Sequence, residues 1–259
     1  MTLSIFNRTF LLWAGAILLA VLIVNPRAAR IQRINAMNED YVDCLRQEDC
    51  KNVKAIAEAR EYYKILAQLY PDYGRGAEMQ GICYLLLKQD SLAIKKFQEA
   101  IKHNPDLFWV SFELGKVFYR RGEYSKALKC FQVITAQDSN TLLKKATLSN
   151  LRQFSDQTRG VLMLGLIDFV AEIKLRSYQM TVGCLVHQGD LAQAKNIVSL
   201  ELSSQQFGKD EFFILANRSL GEDSSRKEML SWIDALALGK PTFHPWGHVI
   251  SPLKEILYQ

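Results

Sequence analysis

Histidine and cysteine pairs are the residues of this chain whose types and spacing could do chemistry. His244 and His248 stand four positions apart, the spacing at which two imidazoles on one helix can hold a metal ion. Pro245 and Gly247 lie between them and indicate a loop, and no glutamate follows His244, so the zinc-protease signature is absent. We predict an aromatic tail that packs without a metal; an enzyme that uses a His244/His248 metal site is the alternative.

A second pair, Cys44 and Cys50, brackets the short polar stretch LRQED. The pair could close a small disulfide loop if this part of the chain faced an oxidising compartment. In a reducing compartment the two residues would remain thiols near a helix end. The other cysteines lie within apolar helical patterns and are predicted core residues: Cys83, Cys130 and Cys184.

The composition is that of an ordinary folded protein. Of the 259 residues, 49% are hydrophobic and 23% are charged, which argues against extensive disorder. The sequence contains no Walker loop, dinucleotide fingerprint or GxSxG elbow. We therefore predict no catalytic residues, no cofactor and no bound metal, and a small-molecule ligand is not expected. Acidic residues balance the basic ones in most of the chain, so nucleic-acid binding is not expected either.

An apolar segment lies near the N-terminus. Residues 10–24 read FLLWAGAILLAVLIV and carry no charge. A membrane span needs about 20 residues and a signal-peptide core about 7 to 15, so length alone leaves both open. No cleavage site follows, because Arg27 stands where a small residue is required. We predict an uncleaved, single-pass transmembrane helix; a buried core helix is the alternative.

Arginines flank this segment unequally. Arg27, Arg30 and Arg33 follow it, whereas only Arg8 precedes it. The positive-inside bias therefore favours a body on the cytoplasmic side of the membrane. A cysteine disulfide would instead require a periplasmic or other extracytoplasmic body, which is the alternative. Residues 1–38 contain no acid, so much of the net charge of +5 flanks the predicted span.

The spacing of the prolines indicates an internal sequence repeat. No proline lies between Pro105 and Pro241, as expected of a helical region, and Pro71 precedes Pro105 by 34 residues. Small and aromatic residues recur at the same interval, and we predict that they form the packing inside and between repeats. These residues are Ala59, Tyr63, Gly81, Tyr84, Ala93, Phe97, Gly115, Phe118, Ala127 and Phe131.

This pattern resembles the tetratricopeptide repeat (TPR), a pair of helices of 34 residues. Residues 74–107 and 108–141 match it in full register, and residues 175–208 match it in part. The resemblance implies an all-α fold, a right-handed superhelical TPR-like α-solenoid, here preceded by the predicted transmembrane helix. Small residues would let the two helices of a repeat cross closely, while rings such as Phe118 and Phe131 would fill the seam between adjacent repeats.

Four regions follow from the anchor and the repeat. They are the anchor with its basic juxtamembrane segment (1–36), the TPR-like array (37–141), a stretch of degenerate helical repeats (142–209), and the C-terminal capping helices with a tail (210–259). Within the last two regions, helices are predicted over residues 142–153, 158–175, 210–220 and 224–238. Terminal helices of a solenoid need a polar outer face, which is why the last two are expected to cap the array.

The resemblance implies protein binding in a concave groove lined by the first helix of each repeat. Carried over to this chain, the groove positions are Arg75, Glu78, Ile82, Leu85, Leu86, Trp109, Phe112, Lys116, Tyr119 and Arg120. Trp109 and Phe112 beside cations would suit a peptide with apolar side chains and an acidic group; packing between repeats is their alternative role. Ile82 replaces a polar clamp residue of the chaperone-binding members, so that specialised role is not expected. We predict a membrane-anchored scaffold, adaptor or accessory subunit with protein or peptide partners.

Overall fold

A computed structural model of the chain describes residues 53–69, 74–146, 156–204, 210–221 and 223–239. These residues form α-helices joined by short turns, which confirms the predicted all-α class, and they lie in one compact unit, Glu48–Trp246. No helix in these ranges combines the length and apolar character needed to cross a bilayer. The predicted anchor, the Cys44/Cys50 pair and the His244/His248 pair lie outside the described residues, so these predictions stay open.

Ten helices follow one another in this part of the chain. They are α1 (Val53–Leu69), α2 (Arg75–Leu86), α3 (Asp90–His103), α4 (Phe108–Arg120), α5 (Tyr124–Thr135), α6 (Ser139–Ala146), α7 (Asp156–His187), α8 (Leu191–Leu202), α9 (Glu211–Ser219) and α10 (Asp223–Leu238). Helices α1 to α5 each pack on the next, as in a helical-repeat protein, and α7 packs on α5. The last helix, α10, returns to contact α4 and α7.

Glycines allow the helices of each pair to cross closely. A Cβ atom on Gly115 of α4 would lie 2.5 Å from a ring carbon of Phe131 on α5, and Gly81 of α2 faces Phe97 of α3 in the same way. Both rings are fully buried. We expected Phe131 to fill the seam between repeats, but its ring lies over the glycine of its own repeat. Of the predicted packing residues, all except the half-buried Tyr84 are buried.

Residues with a positive φ follow several helices, at equivalent positions of the repeats. Gly122 after α4 has φ 73° and Gly189 after α7 has φ 80°. Glycine suits this conformation because it has no Cβ to clash with the backbone. Lys88 holds the same place after α2, with φ 57°.

The region after residue 141 differs from the predicted helix pair. The short α6 ends at Ala146, and α7 then runs without a break for 32 residues. The reason is local: residues 166–182 contain no glycine or proline, and a buried row that includes Phe169, Ile173 and Met180 continues through the expected break. Further along, α9 and α10 coincide closely with the two predicted closing helices.

Candidate partner-binding groove

The predicted groove residues lie on α2 and α4, and most of them are buried. Those less than one-tenth exposed are Arg75, Glu78, Ile82, Trp109, Phe112, Lys116 and Tyr119. Leu85, Leu86 and Arg120, at the C-terminal ends of the two helices, remain partly exposed. Helices α7 and α10 of the same chain both contact α4. Among the residues that the structure describes, the groove is therefore open near the C-terminal ends of α2 and α4.

A buried carboxylate joins the two groove helices. Oε1 of Glu78 on α2 accepts hydrogen bonds from Nη1 of Arg75 (2.5 Å) and from Nε1 of Trp109 on α4 (3.0 Å). The Trp109 ring also packs edge-on against Phe169 of α7, with ring centroids 5.9 Å apart. Trp109 thus takes the packing role between helices, the alternative left open by the sequence.

A buried ammonium lies in the middle of the groove. Nζ of Lys116 donates to Oε1 of Glu113 (3.3 Å) and to the main-chain carbonyl of Gly239, just beyond α10 (3.0 Å). It also stands 5.7 Å from the centroid of the Phe112 ring. Burial lowers the pKa of Lys116, and the neighbouring Glu113 carboxylate opposes that shift. Because a buried cation is costly unless it is bonded, these contacts fix Lys116 to the end of α10.

The Tyr119 hydroxyl connects three helices. It donates a hydrogen bond to Oδ1 of Asp234 on α10 (3.0 Å) and lies 3.0 Å from Nε2 of His187 at the end of α7. The His187 ring stacks on Tyr124, with centroids 4.2 Å apart and planes 3° from parallel. Burial and the Asp234 carboxylate both raise the pKa of Tyr119. Tyr119 therefore remains a neutral hydrogen-bonding group that ties α4 to α7 and α10.

Arg120 also binds the end of α10. Its Nη1 donates to the carbonyl of Ala237 (3.0 Å), while its Nη2 lies 3.4 Å from Oδ1 of Asp90 at the start of α3. Carbonyls in the last turn of a helix lack an intrahelical partner and carry partial negative charge. Arg120 satisfies one such carbonyl and Lys116 satisfies that of Gly239 just beyond the helix, so α4 acts as a basic cap for the C-terminal end of α10.

A narrow apolar stripe seats α10 in the groove. Met229, Ile233 and Ala237 follow at four-residue spacing and are buried, whereas Trp232 on the outer side is 41% exposed. Ile233 packs over Gly183 of α7, where an added Cβ would lie 2.7 Å from the isoleucine side chain. Gly183 thus forms a socket that an alanine would partly fill.

An open cleft continues the groove beyond the end of α10. It has a volume of about 460 Å³ and is lined by Leu85, Leu86, Lys88, Asp90, Glu113, Arg120, Leu238 and Gly239. Leu238, at the last position of α10, is 73% exposed. The cleft therefore offers apolar surface with two cations, Lys88 and Arg120, beside one partly exposed acidic group, Asp90.

The sequence did not predict that α10 occupies the groove. The stripe Met229, Ile233 and Ala237 indicates that one face of α10 is buried, but the spacing does not say which surface receives it. Asp234 and His187 gave no signal, because single polar residues on helices are usually solvated. The contacts arise from residues more than 60 positions apart, which the spacing within one helix does not reveal.

Neither metal nor thiol chemistry is visible in the described part of the chain. No group of three or more histidine, cysteine, aspartate or glutamate side chains there could hold a metal ion. Cys83 and Cys184 are buried free thiols and Cys130 is a partly buried one. Burial raises the pKa of Cys130 to about 11 and that of Cys184 to about 12, which keeps both protonated and unreactive.

The fold and the packing of successive helices define the class, an all-α helical-repeat protein. Residues 79–106, which run from α2 into the turn before α4, match the family model described as tetratricopeptide repeat. This match supports the resemblance inferred from the 34-residue period, and with it a role in protein–protein interaction. No curated protein matches the chain.

Proposed function

We propose that this chain is a membrane-anchored adaptor or accessory subunit that binds protein partners at the open end of its TPR-like groove. The observation that carries the proposal is the cleft between α2, α4 and the end of α10, in which Leu85, Leu86 and Leu238 lie beside Arg120. It lies on the face that the repeat pattern assigns to partner binding. On α4, the rest of that face is covered by α7 and α10.

The lining of the cleft supports a particular chemistry for the partner. The leucines of the cleft favour an apolar side chain, because burying a largely exposed one such as Leu238 contributes roughly 1.5–3 kcal/mol. Arg120 and Lys88 favour a carboxylate next to that side chain. We propose a protein segment that places an apolar residue between Leu86 and Leu238 and an acidic group near Arg120.

Membrane attachment is the second part of the proposal. The uncharged segment 10–24 and the arginines that follow it support a single-pass anchor with the body on the cytoplasmic side. Protease added to sealed vesicles of known orientation tests this assignment. Degradation of the body only in vesicles whose cytoplasmic face is outward would support it, and degradation in the opposite orientation would contradict it.

Matched leucine variants test the binding site. Leu238 and Leu200 are both exposed on helix surfaces, at 73% and 58%, but only Leu238 lines the cleft. The tagged full chain is purified in mild detergent as wild type, Leu238→Ser and Leu200→Ser, and co-purifying proteins are quantified by mass spectrometry. We expect partners of the wild type to be lost from Leu238→Ser and kept by Leu200→Ser. Equal capture by all three proteins would refute binding at the cleft.

A further inference from the structure

Helix α10 occupies the groove in the manner of a bound ligand. Its apolar stripe seats Ile233 over Gly183, its acidic residue Asp234 accepts from Tyr119, and its last carbonyls accept from Lys116 and Arg120. All of these receptor groups lie on α4 or α7. They recognise four features of a helix end: a branched apolar residue, an acid directly after it, a small residue three positions later, and free carbonyls in the last turn.

We infer that α10 is a displaceable, built-in ligand, and that the groove binds partner proteins through an amphipathic helix with the same C-terminal pattern. This inference goes beyond the proposed function, because it adds a second mode of binding at the part of the groove that α10 occupies. In this chain the pattern reads Ile233, Asp234, Ala237 and Gly239. A partner helix with a β-branched residue, an acid at the next position and alanine or glycine near its end would make the same contacts.

The hydrogen bonds described between α4 and α10 are concentrated at one end of α10. They include bonds from Lys116, Tyr119 and Arg120, all made to the last two turns of α10 or the residue just beyond it. The buried stripe is only one residue wide, and Trp232 and Leu238 on the other side of the helix remain exposed. A competing helix could therefore replace every one of these interactions without leaving a cation of α4 unpaired.

The groove would select a partner helix by the acidic residue of that helix and by its free carbonyl groups. Lys116 is 1% exposed, so a groove emptied of α10 would lose a partner of a nearly buried ammonium. An occupant that ends in free carbonyls restores that bond, whereas an apolar segment does not. Asp234 adds the choice of register, because Tyr119 can donate to a carboxylate only when the acid follows the residue in the Gly183 socket.

A labelled peptide tests the exchange. The probe is a fluorescein-labelled peptide of residues 223–239, and the receptor is the full chain in mild detergent, as wild type and as Asp234→Ala. Binding is followed by fluorescence anisotropy. The Asp234→Ala chain holds its own α10 less tightly, so we expect it to bind the wild-type peptide at least fivefold more tightly than the wild-type chain does. A peptide that itself carries Asp234→Ala should bind this receptor at least fivefold more weakly.

Hydrogen exchange on the wild-type chain provides the second measurement and needs no variant. Amides of α10 should exchange at least tenfold faster than those of α4, because α10 opens while the repeats stay folded. Equal peptide affinity for both receptors, or no binding to either, would overturn the inference, as would equal protection of the two helices. Asp234→Asn replaces the alanine variant if Asp234→Ala lowers the helix content. If partners still distinguish Leu238→Ser from Leu200→Ser while the peptide fails, the inference is wrong and the proposed function stands.

Discussion

The hydroxyl of Tyr119 donates a hydrogen bond of 3.0 Å to Asp234, a residue 115 positions further along the chain. Because its single proton points to Asp234, this hydroxyl can only accept from His187, which fixes the proton of the imidazole on Nε2. Helices α4, α7 and α10 are joined in this way through one oxygen atom.

Tyr119→Phe removes this junction and keeps the ring. We expect the free energy of unfolding to fall by about 1–2 kcal/mol, because one bond to a charged acceptor and one to an imidazole are lost. The change is measured as a lower thermal midpoint by circular dichroism on the detergent-purified chain. Tyr124→Phe is the matched control, since it keeps the ring that stacks on His187. Equal midpoints for the two variants would show that the junction contributes nothing.

Stability should fall in mild acid because of His187. Burial lowers the pKa of His187, and the Asp234 carboxylate opposes the shift; the groups that face the ring are Tyr119, Tyr124 and Asp234. The unfolded chain therefore takes up the proton first, so the contribution is complete above about pH 6.5 and is lost as the pH falls through the folded pKa. His187→Gln should show a smaller drop in thermal midpoint between pH 7.5 and 5.5 than the wild type. An identical drop would rule out His187 as the cause.

Gly115→Ala tests the crossing of α4 and α5. The new Cβ would lie 2.5 Å from the Phe131 ring, so the helices must separate, at a cost of about 1–3 kcal/mol. Gly165→Ala on α7 is the control, because no atom outside its own local backbone lies within 4 Å of the added Cβ. Alanine there should be neutral or stabilising by up to about 1 kcal/mol. Chemical denaturation measures both, and a Gly115→Ala protein as stable as the control would contradict the close crossing.

The thiols of Cys130 and Cys184 should resist alkylation while the chain is folded. Burial raises both pKa values, to about 11 and about 12, and the thiolate is the reactive form. Iodoacetamide at pH 8 should therefore modify these residues at least tenfold more slowly than it does in denaturant. Peptide mass spectrometry resolves each site. Rapid labelling of Cys184 in the native chain would mean that α7 opens easily at that point.

The repeats could be predicted from the sequence because each one is local. Gly81 and Phe97, or Gly115 and Phe131, lie within one repeat and recur at a fixed period, so two helices and their crossing follow from spacing alone. The length of α7 could not be predicted in this way. A repeat boundary was expected near residue 175, where the chain has no glycine or proline to end a helix.

Of the groove, the sequence predicted the residues on α4 but not their partners on α10. Lys116, Tyr119 and Arg120 were identified as groove residues, since the repeat pattern fixes which face of α4 is concave. Their partners on α10 were not, because Asp234 and the carbonyl of Gly239 reach them through the path of the whole chain. Trp109 illustrates the same limit, since its packing against Phe169 depends on how α7 returns to α4.

Lys88 lies at the left-handed position after α2, where any residue other than glycine lowers the stability of the fold. The equivalent positions carry Gly122 and Gly189, and a lysine with φ 57° is held in a conformation that costs a side chain about 1 kcal/mol. Lys88→Gly should therefore raise the free energy of unfolding by about 0.5–1 kcal/mol in chemical denaturation, while it removes a cation from the cleft. A variant that is more stable yet captures fewer partners would identify a residue at which selection has favoured recognition over stability.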